Sequence, residues 1–329
     1  MLNNLDTSKR NNIIIAINST IIYIFTFLIT YIIYQLITAT VASEYRVDTV
    51  FYLDNLKFLT PDNNFEIWNR DSAITVFGAA PIISLVLAFI SIMMYRRFSE
   101  DNSIIKLFFL WGALHFINRV LGSFIIGTIF FLYGSNLIAD WMYLGTEMKI
   151  VLTAIALIVQ IIIGAYTVLP ILTSANTSSL VKGENRRSFI FNQIYLPWLI
   201  GSVSLLIFFL PKVPLQENLI NVTMLIMLIP LYFRYRSPQL PGAEEAQEEV
   251  VYKFSWRFII FLLIFVVFLK LVFIEGIHFG GKDGSDMDYI WVFILIIAIV
   301  SGLIYQFIKT SNDRKREIRK IMGNDERTY

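Results

Sequence analysis

Eight long apolar runs mark this chain, near residues 13–41, 73–95, 105–133, 150–172, 188–210, 218–235, 255–276 and 288–309. Each is near or beyond the ~20 residues that cross a hydrocarbon core. The runs are continuously apolar and do not alternate, so the pattern predicts helices and not barrel strands. The expected fold class is an all-α polytopic integral membrane protein of about eight transmembrane helices. The first run is too long for the apolar stretch of a cleaved signal, although Lys9 and Arg10 precede it, and it reads as a retained first helix.

One membrane domain is expected over residues 1–312. It carries a cap segment at 42–72 and an acidic linker at 237–254, the latter holding Glu244, Glu245, Glu248 and Glu249. Among the acids and asparagines of the cap stand Tyr45, Phe51, Tyr52, Phe58, Phe65 and Trp68, aromatics expected at headgroup level. The segment reads either as a simple interfacial cap or as a lid over a cavity. Pro81 and Pro197 interrupt the second and fifth runs, either as ordinary kinks between packed helices, the favoured reading, or as breaks whose freed carbonyls line a cavity.

Charge orients these elements. Lysine and arginine gather in alternate connecting segments: Lys9 and Arg10; Arg96, Arg97 and Lys106; Lys182, Arg186 and Arg187; Arg234, Arg236, Lys253 and Arg257; and the C-terminal tail. The intervening segments hold only Arg46, Lys57, Arg70, Lys149, Lys212 and Lys282. By the positive-inside rule both termini are cytoplasmic, as in a multi-pass protein of the cytoplasmic (inner) membrane. The tail, residues 313–329, reads as a short basic amphipathic helix. Its Arg314, Lys315, Arg316, Arg319 and Lys320 would meet anionic lipids at the cytoplasmic face.

Composition narrows the chemistry. Only 16% of residues are charged against 56% hydrophobic, where a soluble domain carries about 25% charged residues. There is no cysteine, which excludes thiol catalysis, disulfides and thiolate metal sites. The two histidines, His115 and His278, form no HExxH pair, and no metal site or other cofactor is implied. The net charge of +2 gives no support for nucleic-acid binding.

Polar residues inside a membrane are costly and tend to carry function. The third run, IIKLFFLWGALHFINRVLGSFIIGTIFFLY, places Trp111, His115, Asn118, Arg119 and Gly122 on one helix face. His115 through Arg119 are expected near the bilayer midplane. Gln160 sits near the centre of the fourth run. Trp111, His115, Asn118, Arg119 and Gln160 are therefore the candidate ligand-binding residues, in a polar cavity between the third and fourth runs. A central arginine needs an offset of about 2.5–3.5 kcal/mol. No carboxylate lies firmly inside any apolar run, so an anionic ligand, or a carboxylate from a membrane-protein partner, is expected to meet Arg119. The alternative reading of His115, Asn118 and Arg119 is structural, with the three bonded to neighbouring helices.

The segment WGALHFINRVLGSFIIGTIFFLYGSNLIADWMY resembles part of the CPBP family of intramembrane proteases, with His115 at the place of the family's first histidine. Asp140 or Trp141 stands where its second histidine would fall. The family's glutamate pair followed by arginine is absent, so no water-activating base is carried over and no catalytic residue is assigned.

Two readings of function stay open. One is a non-enzymatic subunit or assembly factor of a membrane complex, motivated by the missing carboxylates and the basic tail. The other is a transporter or lipid-handling protein with a midplane pocket for an anionic ligand. An intramembrane hydrolase using His115 as base ranks below both.

Overall fold

The computed structural model describes residues 2–61, 64–98, 103–132, 134–175, 180–181, 185–234 and 256–280. The eighth apolar run, the acidic linker and the basic tail lie outside the described residues.

Among the described residues six helices are long and apolar enough to cross a membrane, as in an integral multi-pass membrane protein. They are α1 (Leu2–Glu44), α2 (Arg70–Arg97), α3 (Ser103–Phe130), α5 (Thr146–Thr173), the α6–α7 unit and α8 (Leu215–Arg234). The unit comprises α6 (Asn185–Ile190), a π-helical turn at Phe191–Tyr195 and α7 (Leu196–Phe209). A seventh apolar helix, α9 (Trp256–Val272), is shorter, and a short α4 (Ser135–Trp141) lies between α3 and α5. These elements match the first seven apolar runs in order.

Helix α1 is the axis of the bundle. Ile22, Tyr23, Leu28, Tyr31, Ile32 and Leu36 are all buried along it. Around it, α2 and α5 each turn one face outward. Leu85, Val86 and Phe89 on α2, and Val151, Ile155 and Ile158 on α5, are exposed, as lipid-facing positions should be. Inward, α2 presents Ala73, Ala80, Ser84, Ala88 and Ser91, small residues that let backbones approach closely.

Pro81 does not interrupt its helix: α2 is continuous from Arg70 to Arg97. The fifth run does break, at the π-helical turn just ahead of Pro197. A proline has no N–H for the carbonyl four residues back, which here is Gln193. The hydroxyl of Ser19 on α1 donates to that carbonyl at 2.5 Å, and the Trp111 indole N–H on α3 donates to the same hydroxyl at 3.1 Å. The irregular turn is thereby tied to two other helices.

The all-α expectation needs correcting in the cap. Strands β1 (Thr49–Phe51), β2 (Leu56–Phe58) and β3 (Ile277–Phe279) form an antiparallel sheet in the order β2-β1-β3. Val50 stands opposite Lys57 on one side and His278 on the other. Gly276 adopts φ +77° on entry to β3, and a methyl group there would stand 2.6 Å from Val50 Cγ1. Only glycine suits that turn. The strands are three residues long, too short for alternation to show in a sequence.

The cap aromatics also divide. Phe65 and Tyr45 are exposed, whereas Phe51 is fully buried and Trp68 nearly so. Trp68 stacks on Phe77 of α2 at 5.9 Å and meets Phe58 edge-on at 5.6 Å. Beside it, Asn69 caps α2 reciprocally with Ser72, each backbone N–H donating to the other's side chain at 3.0 Å. Cap and bundle are therefore one packed unit at this end.

Candidate functional site

The five polar residues singled out in the sequence do not converge on one pocket. Trp111 is fully buried and engaged with Ser19. His115 is buried among rings, with centroids 4.7 Å from Tyr23, 5.5 Å from Phe27 and 5.9 Å from Trp111, and its Nε2 has no partner among the described residues. Asn118 is a junction: its amide donates to the Ile220 carbonyl at 2.6 Å, and its oxygen accepts from Gln160 at 2.8 Å and Thr223 at 2.9 Å. That knot locks α3, α5 and α8 together. A second knot holds α1 to α7 and α8, where the Tyr23 hydroxyl donates to Asn221 Oδ1 and the Asn221 amide donates to Ser202 at 2.9 Å.

Arg119 differs. Its Nη1 donates to Glu217 Oε2 at 2.6 Å, and both side chains are buried. The other oxygen, Glu217 Oε1, accepts from Gln35 Nε2 of α1 at 3.2 Å. The guanidinium also lies over three α1 rings, 5.3 Å from Phe27, 5.2 Å from Tyr31 and 5.7 Å from Tyr34. Spacings of i, i+4 and i+7 put these rings on one helix face, where each desolvated contact is worth up to about 2 kcal/mol.

Glu217 was not legible as Arg119's partner. It stands one residue ahead of the apolar run at 218–235, yet α8 begins at Leu215 and holds it in the first turn. An acid there suits the positive end of the helix dipole; the available signal was Pro214 followed three residues later by an acid. The expectation that Arg119 lacks a carboxylate within the chain is corrected: Glu217 supplies it.

The pair borders a cavity of about 720 Å³ roofed by the cap. Tyr34, Gln35 and Thr38 of α1 line one wall, with Arg119 and Ser123 of α3 beside them. The roof is Asp54, Asn55, Leu56 and Phe58. An apolar wall follows from Trp68, Phe77, Leu137 and Trp141, and the segment Val213 to Glu217 with Ile220 completes the lining. No residue of α5 takes part, so the cavity lies under the cap and not between the third and fourth runs. Of the five expected residues, Arg119 alone lines it.

Two features suit this cavity to a ligand. Its volume is in the range of small-molecule sites, which are mostly apolar with a few placed polar groups. And Arg119 uses only one edge of its guanidinium on Glu217: Nε and Nη2 are buried without a partner among the described residues. Those two N–H groups are parallel, the fork that grips a carboxylate or phosphate in bidentate fashion. Among the described residues no group of three or more His, Asp or Glu is placed to hold a metal ion.

No protein-family model, curated protein or solved structure matches the chain.

Proposed function

We propose that this membrane protein binds an amphiphilic ligand in the capped cavity, as a lipid-handling protein or transporter. The acidic head of the ligand meets Arg119, and its apolar part lies along Trp68, Phe77 and Leu137. The observation that carries this reading is the unpartnered Nε–Nη2 edge of a buried arginine on the wall of a cavity of ligand size. Buried donors without acceptors are costly, about 1–3 kcal/mol for a lost partner and more for a charged group, and a bound oxyanion removes that cost. Charge asymmetry along the chain would place the cap outside the membrane, so the ligand would enter from the outer face or outer leaflet. His115 has no role in this reading: it is walled in by rings and does not line the cavity.

The test is extraction of the full-length protein in a mild neutral detergent, with mass spectrometry of retained lipids and proteins. Wild type should retain an acidic or zwitterionic amphiphile in near-stoichiometric amount. Leu137→Trp, which fills the apolar wall, and Arg119→Lys, which keeps a cation for Glu217 but loses the fork, should both lose it. A protein partner in fixed ratio with no retained amphiphile would overturn the proposal in favour of a complex subunit. Equal retention by Leu137→Trp would overturn it as well.

A further inference from the structure

We infer that the ligand's head is zwitterionic, with its oxyanion on Arg119 and its ammonium on Asp54; this rests on the ligand-binding reading above. Three ionisable groups with a full charge line the cavity: Arg119, Glu217 and Asp54. They are not equally available. Both oxygens of Glu217 are engaged, one by Arg119 and one by Gln35. Asp54, half-buried in the roof, makes no hydrogen bond or ion pair among the described residues. The groups without a partner among the described residues are therefore the Nε–Nη2 edge of Arg119 and the carboxylate of Asp54.

Tyr31 connects the segments that carry them. Its ring face lies 5.2 Å from the Arg119 guanidinium, and its hydroxyl donates at 2.8 Å to the carbonyl of Leu53, the residue before Asp54. One tyrosine side chain thus touches both the guanidinium and the backbone next to Asp54, and Arg119 and Asp54 line one cavity.

Charge balance then selects the ligand class. Arg119 and Glu217 cancel, and Asp54 leaves the lining negative. A simple anion would satisfy the fork but share the cavity with Asp54, and like charges brought close together repel. A simple cation would satisfy Asp54 and leave the fork unmet. A head carrying both an oxyanion and an ammonium meets both and adds no net charge. Such a head occurs on zwitterionic lipids and also as a free water-soluble molecule. The adjoining wall of Trp68, Phe77 and Leu137 accommodates an acyl chain in the first case.

Binding to the purified full-length protein in a neutral detergent tests the inference, read through the tryptophan fluorescence to which Trp68 and Trp141 of the lining contribute. The probes are lysophosphatidylethanolamine, lysophosphatidic acid, dodecylamine and tail-less glycerophosphoethanolamine. The zwitterionic lysolipid should bind about tenfold more tightly than the anionic one, and Asp54→Asn should abolish or reverse that preference. Binding of the lysolipid but not of glycerophosphoethanolamine supports the inference with a lipid source. Comparable binding of both supports it with a soluble source. Equal or tighter binding of lysophosphatidic acid to wild type, or an unchanged preference in Asp54→Asn, overturns the zwitterion assignment while the ligand site stands. Failure of every probe to bind overturns both.

Discussion

Gly164 of α5 and Met227 of α8 meet backbone to backbone: a methyl group added at Gly164 would fall inside the van der Waals surface of the Met227 carbonyl oxygen. This is the tightest crossing marked by a glycine in the described bundle. Gly164→Ala should force the two helices apart and destabilise the protein by about 1–3 kcal/mol, as overpacking does elsewhere. Thermal unfolding in detergent checks it. Gly78→Ala, whose added methyl group meets only an ordinary contact at 3.9 Å, should cause no loss.

The Arg119–Glu217 pair should show strong coupling. Removing one partner of a buried ion pair costs about 3–5 kcal/mol, because the other charge is left uncompensated. Arg119→Ala and Glu217→Gln should each lower the melting temperature sharply. The double variant should be much less destabilised than the sum of the two. Additive single effects in a double-mutant cycle would show that the pair is not coupled in the folded protein.

Ser19 should matter more than a small hydroxyl suggests. Ser19→Ala leaves the Gln193 carbonyl and the Trp111 indole N–H without the partner described above, at about 1–3 kcal/mol for a buried group left unmet. The expected outcome is lower thermal stability with ligand retention unchanged, because neither Ser19 nor Trp111 lines the cavity.

His115 should be replaceable. It is enclosed by Tyr23, Phe27 and Trp111, so His115→Phe keeps the ring packing and removes an unpartnered nitrogen at the cost of one hydrogen bond to the Tyr23 backbone. Its stability should stay within about 1.5 kcal/mol of wild type, the range of volume-conserving core changes, and its lipid retention should be unaltered. Loss of function in a stable His115→Phe protein would revive a chemical role for the imidazole.

The chain holds no cysteine, so paired substitutions can be read without background thiols. Val50→Cys with His278→Cys, at directly opposed positions of β1 and β3, should form a disulfide, since opposed residues of antiparallel strands come within bridging range. If the ligand passes through the roof, oxidation should slow its exchange and reduction restore it. Equal exchange rates in both states would place the entry elsewhere.

The spans were legible because a run such as 150–172 must be apolar along its whole length to cross lipid, and that requirement is visible in any window. The His115-to-Arg119 stripe was legible for the same reason in reverse: polar residues stand out in an apolar helix. Their partners were not. Ser19, Asn221 and Thr223 are small polar residues common in packed helices, and only the folded arrangement shows which helices they join. Glu217 fell one position outside its run, because hydropathy marks where lipid contact begins and not where the helix does. The cavity was expected one helix away from its place, since helix order in space leaves no trace in hydrophobic period. The sheet was hidden in three short strands, one of them more than two hundred residues from its neighbour along the chain.

That last separation bears on how the protein is made. The middle strand of the roof leaves the ribosome early, beside β2, but its other neighbour arrives only after α9 has been synthesised. Through most of translation β1 carries one unpaired edge, and the cap sheet is incomplete. Completion of the sheet waits on nearly all of the described helices having been synthesised, so the nascent protein passes through a long stage in which one edge of β1 is open to other partners.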